Sequence, residues 1–269
     1  NTKDIFFEIS SNIPLSMFVL LCGICFGIGM QMHLSIVKRI GLILSTSVSA
    51  SCAILGGTIV TILFSELPKG VTIPLLILVA VLISATIVCQ YAGILRDKDK
   101  GIAVAATKES RKKDVFHLAF INLVLLSSYA LANSIALKTP TNPRGFEALT
   151  NMGVLVIGAF VGSLAVTLIR CHKEGGLRFD CGVSRKKLLG LALIAACCHF
   201  GGNVLHTFFA PVISVTIATA LGNSYHLWSY VWGLLYGEFK GSSVKTYAIL
   251  GIGILLFVIG VVIISLKTV

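Results

Sequence analysis

Residues 14–36, PLSMFVLLCGICFGIGMQMHLSI, decide the fold class because they contain no Asp, Glu, Lys or Arg. About 20 such residues suffice for a helix to cross a hydrocarbon core roughly 30 Å thick. Similar runs recur along the chain, which is 56% hydrophobic and 12% charged, whereas an average soluble domain is about 25% charged. The composition therefore predicts an all-α membrane protein and excludes most classes of soluble protein.

The apolar runs predict eight spanning helices joined by short polar links. Each run is close to the length that a bilayer requires, and no stretch is long enough to form a separate soluble domain. The predicted spans are 14–36, 40–64, 72–95, 116–136, 149–169, 187–208, 211–235 and 246–266.

The basic residues are divided unequally between the two sides of this helix map. Seventeen of the 22 Lys and Arg residues fall on one side, mostly in the links 96–113 and 170–187. The positive-inside rule predicts that this side is cytoplasmic and that both ends of the chain lie outside. We expect a multi-pass protein of the plasma membrane. The net charge of +11 thus reflects topology, and no nucleic-acid partner is predicted.

Six of the eight cysteines lie within apolar runs, where free cysteine behaves as a small hydrophobic residue. Cys22 and Cys25 have the spacing of a redox or zinc pair, but no second pair accompanies them. The sequence therefore predicts no metal and no cofactor.

An internal repeat relates the second span to the seventh, with an offset of 172 residues. The second copy comes five helices after the first, an odd number, so the copies must run in opposite directions. Inverted repeats of this kind give many secondary transporters two exchangeable states around a central site. The matched positions are Gly29 with Gly201, Gln31 with Asn203, Ser51 with Asn223, and Glu66 with Glu238.

The repeat predicts a ten-helix fold of two five-helix halves that lacks its first two helices. Residues 1–95 would form an incomplete first repeat, helices three to five of the fold. Residues 96–115 would form a basic cytoplasmic linker, and residues 116–269 the second repeat. A chain that starts at Asn1 instead of Met agrees with this expectation.

Two stretches resemble a known family. The segment 232–247, WGLLYGEFKGSSVKTY, resembles the last two helices of the drug/metabolite transporter superfamily, and most closely its sugar porter, rhamnose transporter and ureide permease branch. Cys25-Phe-Gly-Ile-Gly29 with Gln31 is similar to the Trp-Gly-Ile-Gly-Asn element of the third helix there. Phe26 replaces the Trp, and Gln31 replaces the Asn. The resemblance implies ten helices in two inverted five-helix repeats and transport of a small solute.

Polar side chains inside the spans are the candidate site residues, because burial of polar groups in lipid is costly. Several recur on one helix face, as do Ser45 and Ser49 at a spacing of four. They are predicted to line a polar cavity, although serines that bond their own helix carbonyls and amides that join helices remain the alternative. The candidate substrate-binding residues are Gln31, Ser45, Ser49, Asn203, Asn223, His226 and Tyr230.

No span has an acidic or basic residue at its centre, so proton coupling would depend on histidine. The candidates are His199, His206 and His226, and facilitated diffusion is equally open. Glu66 and Glu238 stand at predicted helix ends, and we expect them to organise those ends.

These features predict a permease that moves a small neutral polar metabolite, a sugar or a ureide or nucleobase, by alternating access. Its partners would be this solute, the lipid bilayer and a second copy in a homodimer. A structural or regulatory bundle is the alternative. An intramembrane enzyme using Cys198 and His199 is disfavoured, since no carboxylate stands near to orient the base.

Overall fold

The computed structural model describes residues 2–64, 72–101, 104–140, 142–173, 175, 184–213, 218 and 226–266. These parts of the chain are almost entirely helical, and two isolated bridges are their only extended pairing. A π-helical segment, Ile121–Leu126, joins two of the helices. The helices are α1 Thr2–Ser11, α2 Ile13–Ile40, α3 Leu42–Phe64, α4 Thr72–Asp99, α5 Val104–Phe120, α6 Ser128–Ala136, α7 Ala148–Lys173, α8 Arg185–Ile213, α9 His226–Leu235 and α10 Val244–Leu266.

The all-α prediction is confirmed, and long apolar helices support a membrane-embedded protein. Four stretches are long and apolar enough to cross a membrane: Ile13–Ile40, Lys112–Ala136, Ala148–Lys173 and Arg185–Val212. Two shorter apolar stretches are Leu42–Gly57 and Val244–Gly260. The total of eight spans stays a prediction.

The predicted link around residues 209–211 is wrong, because α8 continues through Pro211 to Ile213. A proline interrupts a helix by removing one N–H donor and by clashing with the preceding turn. Here only two residues of α8 follow Pro211, so little helix has to be maintained beyond the proline. The apolar side chains before it extend the helix five residues past the predicted end.

Glycines allow α2 and α7 to pack with their backbones in close contact. A Cβ atom on Gly23 would meet the Leu155 carbonyl oxygen, and one on Gly158 would meet the Leu20 carbonyl oxygen. Gly27 and Gly162, four residues further along their helices, make the same kind of approach. Such pairs of small residues are a common basis of helix association in membranes. α2 and α7 therefore form a tightly packed parallel pair.

A second core joins α4, α9 and α10. Tyr230 packs its ring against Phe257 at 5.8 Å between centroids, and both are fully buried with Phe239 and Cys89. Polar bonds connect α4 to α3, where Gln90 Nε2 donates to the Leu44 carbonyl at 2.6 Å. These four helices form a unit beside the α2–α7 pair.

Two carboxylates cap helices at one end of the bundle, which we call the Gly41 end. Glu238, in the turn after α9, accepts hydrogen bonds from the first backbone N–H groups of α3, Leu42 and Ile43. Asp99, at the end of α4, accepts from Ser243 N at 2.8 Å and from the Thr246 hydroxyl at 2.6 Å at the start of α10. These caps satisfy donors that a helix start leaves unpaired.

The opposite end, the Asn142 end, is closed by the link between α6 and α7. Asn142 Nδ2 donates to the carbonyls of Ile135 and Leu137, which end α6. Lys138 and Glu147 form an ion pair at 2.6 Å across the base of the link. The α6 carbonyls are thus paired by a side chain from the link itself.

The π-helical segment gives one long helix an extra residue. Ser127 N donates to the carbonyl of Asn122, five residues earlier. Asn122 Nδ2 donates to the Leu118 carbonyl at 2.7 Å, so the Asn122 side chain forms a hydrogen bond with a backbone carbonyl of the preceding turn. Single π turns within α-helices are frequent at functional sites.

Candidate functional site

The main candidate site is a polar cluster centred on Tyr129, where α6 meets α8. The Tyr129 hydroxyl lies 2.9 Å from His206 Nδ1, 3.0 Å from the Thr207 hydroxyl and 3.0 Å from the Asn203 carbonyl. Asn203 Nδ2 in turn lies 3.3 Å from His199 Nε2, one turn back along α8. We refer to these five residues as the Tyr129 cluster.

The hydrogen-bond directions within the Tyr129 cluster depend on the proton of His206. Thr207 donates its hydroxyl hydrogen to the Asn203 carbonyl at 3.0 Å, which leaves the Tyr129 hydroxyl with several acceptors and one hydrogen. When His206 Nδ1 is unprotonated, it can accept that hydrogen. When Nδ1 carries a proton, it donates to Tyr129, whose hydrogen then turns to the Asn203 carbonyl. The proton on His206 therefore sets the direction of the His206–Tyr129 bond and determines whether the Tyr129 hydroxyl donates to the Asn203 carbonyl.

Aromatic rings form one side of the cluster. Phe26 on α2 is buried and lies 5.6 Å from the Tyr129 ring and 6.3 Å from the His199 ring, measured between centroids. The Phe26 and His199 rings are almost parallel, at 10°. From Arg185 to Asn203, α8 has no buried side chain in this structure, so His199 and Asn203 lie on an open side. The cluster thus combines an apolar wall with exposed amide and imidazole groups.

A second polar cluster, the His33 cluster, lies closer to the Gly41 end. His33 Nδ1 is 3.4 Å from the Ser49 hydroxyl and 3.5 Å from Asn122 Nδ2. These two contacts connect α2 to α3 and to the π-helical segment. His33 is seven residues beyond Phe26 on α2, about 10 Å along the helix axis. The two clusters therefore occupy different depths in the bundle.

Apolar packing separates the two clusters. Gly29 lies between Phe26 and His33 on α2, and a Cβ there would come within 2.8 Å of Leu125 Cβ and 2.9 Å of Leu126 Cδ2. Ser128 fastens this crossing, since its hydroxyl donates to the Cys22 carbonyl at 2.9 Å. The helices leave no room between them at Gly29.

The structure brings some of the predicted site residues together. His199, Asn203 and His206 belong to the Tyr129 cluster, and Ser49 belongs to the His33 cluster. Ser45 is buried and donates to the carbonyls of Gly41 and Leu42 in its own helix. That is the alternative role considered for the serines.

Other predicted residues lie elsewhere. Tyr230 is buried in the core of α4, α9 and α10, away from the Tyr129 cluster. Gln31 lies near the Gly41 end, where its backbone carbonyl accepts from Ser35 at 2.8 Å. Asn223 falls outside the described residues. His226 begins α9, and its side chain falls outside the description as well.

Tyr129, Thr207 and Phe26 were not selected from the sequence, and neither were His33 and Asn122. The sequence contains one signal for Tyr129, which lies four residues before Asn133 and shares its helix face. Phe26 carries no such signal, because an aromatic residue in an apolar span is ordinarily core.

The carboxylate caps lie outside this site. Glu238 organises a helix end, as expected, but the helix is α3 instead of its own. Hydrogen bonds from Thr246 and Ser243 hold the pKa of the Asp99 carboxyl below its usual range. Glu66 falls outside the described residues. Within the described ranges, no three His, Cys, Asp or Glu side chains are grouped to hold a metal ion.

Comparison with known proteins finds no matching family model, no matching curated protein and no matching solved structure.

Proposed function

We propose that this protein is a secondary transporter, a permease that moves a small neutral polar metabolite across a membrane by alternating access. The solute would be a sugar or a ureide or nucleobase. We further propose that the protein resides in the plasma membrane with its basic links in the cytoplasm, and that it functions as a homodimer. The observation that carries the proposal is the Tyr129 cluster, a set of uncharged hydrogen-bonding groups among apolar helices.

The chemistry of the Tyr129 cluster suits a neutral solute. Its hydroxyl, amide and imidazole groups can donate or accept hydrogen bonds, and no carboxylate or ammonium group stands among them. Binding sites for small molecules combine apolar walls with a few polar groups that fix orientation. Phe26 and the Tyr129 ring would supply the apolar contact, and Asn203 and His199 the polar contact.

Two polar clusters on either side of a tight crossing support alternating access. Phe26, beside the Tyr129 cluster, and His33 lie about 10 Å apart along α2, with Gly29 against Leu125 and Leu126 between them. A solute leaving one cluster would reach the other only after α2 and the π-helical segment move apart. Alternating access requires a barrier of this kind that opens on one side of the solute at a time.

Helix directions support the inverted repeat. α2 runs toward the Gly41 end, and α8, its predicted counterpart, runs toward the Asn142 end, where Ala210 packs with Leu137. α4 and α10 are also opposite, since Asp99 at the end of α4 caps the start of α10. Both pairs thus have the orientation that the 172-residue offset predicts.

His206 is the group best placed for proton coupling. Its Nδ1 faces the Tyr129 hydroxyl at 2.9 Å, and histidine is the side chain whose ordinary pKa lies nearest physiological pH. Protonation there would reverse the His206–Tyr129 hydrogen bond and turn the Tyr129 hydroxyl to the Asn203 carbonyl, and so change what the cluster offers a solute.

Uptake by purified protein in liposomes tests the proposal. The solutes are radiolabelled glucose, rhamnose, allantoin and uracil, each with and without an inward proton gradient. Tyr129→Phe should lower uptake of the transported solute by up to about tenfold, since it removes one central hydroxyl. Tyr247→Phe is the matched control, because its hydroxyl bonds the Phe239 carbonyl near the Gly41 end, far from the cluster. Absence of uptake for every solute by the wild-type protein refutes the transporter proposal.

A further inference from the structure

Two buried asparagines beside the Tyr129 cluster have free hydrogen-bonding atoms. Asn133 on α6 is 1% exposed and Asn151 on α7 is 0% exposed. Asn151 Nδ2 donates to Asn133 Oδ1 at 2.8 Å. Asn133 Nδ2 and Asn151 Oδ1 have no hydrogen-bond partner. A buried polar atom without a partner costs about 1–3 kcal/mol, so two of them on one amide pair call for a bound hydrogen-bonding partner.

The free atoms form a matched pair of one donor and one acceptor. Exchanging the oxygen and nitrogen positions in both amides reverses their mutual bond, and it still leaves one free donor and one free acceptor. The group that satisfies both must itself donate and accept. A hydroxyl or an amide does so, whereas a carboxylate or an ammonium ion does not.

The amide pair is continuous with the Tyr129 cluster. Asn133 lies one helical turn beyond Tyr129 and its side chain approaches the Tyr129 hydroxyl, although its Nδ2 forms no bond of normal geometry. Met152, next to Asn151, has its sulfur 3.8 Å from the Thr207 hydroxyl. Polar groups therefore follow one another from the start of α7, through α6, to α8.

We propose that Asn133 and Asn151 form a subsite that binds one hydroxyl or amide group of the solute, on the Asn142 side of the Tyr129 cluster. This inference rests on the proposed function, since the solute is the one that the Tyr129 cluster holds. The amide pair makes the site selective for solutes with a group that donates and accepts at that position. A bound water molecule is the competing occupant, because it satisfies the same two atoms.

The test measures how strongly each variant distinguishes a solute from an analogue that lacks one group. Binding is measured by thermal shift of the full chain in detergent, with glucose, rhamnose, allantoin and uracil and with their deoxy or N-methyl analogues. For the wild type, loss of the recognised group should weaken binding by about tenfold or more.

Asn151→Leu removes both amide atoms with little change in volume, and Asn151→Ser retains a polar group should the leucine variant fail to fold. Discrimination between the solute and its analogue should fall to about twofold or less in either variant. Gln90→Leu is the matched control, because it removes an amide whose nitrogen already bonds the Leu44 carbonyl, and it should keep the wild-type discrimination.

The outcomes separate this inference from the proposed function. Full discrimination in both Asn151 variants, with only a lower melting temperature, means that the pair holds water, and it overturns the subsite. No binding of any solute by the wild type overturns the subsite and the transporter proposal together. If the wild type binds a solute and the Asn151 variants lose discrimination as expected, but the wild type shows no uptake in liposomes, the subsite is supported and the transporter proposal is overturned.

Discussion

Close packing of α2 against α7 predicts that one added methyl group on α7 destabilises the protein while another on the same helix does not. In Gly158→Ala, the new Cβ would overlap the Leu20 carbonyl oxygen and lie 3.0 Å from Gly23 Cα. In Gly153→Ala, the new Cβ has no atom within 4 Å apart from its chain neighbours and the backbone of its own helix. The two substitutions are chemically identical and five residues apart.

The expected magnitudes follow from opposing effects. Replacing glycine by alanine inside a helix stabilises it by about 0.8–1.0 kcal/mol, which applies to both variants. Overpacking at Gly158 costs about 1–3 kcal/mol, because α2 and α7 must separate by several tenths of an ångström and lose dispersion contacts along the whole pair. The variants should therefore differ by about 1–3 kcal/mol, with Gly158→Ala the less stable.

Thermal unfolding in detergent checks this difference, monitored by circular dichroism at 222 nm. A protein of this size loses roughly 2–4 °C in Tm per kcal/mol, so the Tm of Gly158→Ala should lie at least a few degrees below that of Gly153→Ala. Equal melting temperatures for the two variants would refute the reasoning, because they would mean that α2 and α7 are not in backbone contact at Gly158.

Three further predictions concern polar contacts outside the Tyr129 cluster. Glu238→Ala removes the acceptor for the Leu42 and Ile43 N–H groups, and loss of about 1–2 kcal/mol of capping should speed hydrogen exchange there roughly tenfold; unchanged exchange contradicts the cap. Because hydrogen bonds lower the pKa of Asp99, its stabilising contribution is complete above the ordinary carboxyl pKa of about 3.9 and is lost as the pH falls through the lowered value. The Tm difference between wild type and Asp99→Asn should thus shrink from pH 6 to pH 2, and a constant difference counts against it. Gln90→Leu should cost about 0.6 kcal/mol in equilibrium unfolding, the average for an interhelical hydrogen bond in a membrane protein, and a loss above about 2 kcal/mol would show a larger role.

Helix positions could be predicted from the sequence because hydropathy and length are properties of consecutive residues. The predicted span 149–169 lies within α7, and the predicted span 72–95 lies within α4. The error at 209–211 has a physical origin: proline favours the first turn of a helix and so predicts a start near Pro211, whereas α8 contains this proline two residues before its end.

Close contacts between helices were less predictable, although one signal was present. Gly23 and Gly27 share a spacing of four, as do Gly158 and Gly162, and this spacing is typical of helix association in membranes. The sequence alone does not show which helix packs against each pair of glycines. The partner is determined by the whole arrangement of the bundle, as the reciprocal overlap of Gly23 and Gly158 demonstrates.

The site was predicted best where its members share one helix face. His199, Asn203 and His206 follow such a stripe on α8, and they lie together in the Tyr129 cluster. The same periodicity places Tyr230 on a polar face of its helix, but in the structure its ring packs against Phe257 in the apolar core. Periodicity identifies a common face but not the neighbour that the face meets.

The extra residue in the π-helical segment Ile121–Leu126 shifts the helical register within the long helix Lys112–Ala136, so the residues before and after the segment face different directions. One inserted residue turns everything after it by about 100° around the helix axis, compared with an uninterrupted α-helix. Tyr129 stands three residues beyond the insertion, whereas Asn122 stands inside it. Loss of the insertion would swing the Tyr129 hydroxyl away from His206 and would release the hold of Asn122 on the Leu118 carbonyl. A single helical turn thus links the orientation of one polar cluster to the integrity of the other.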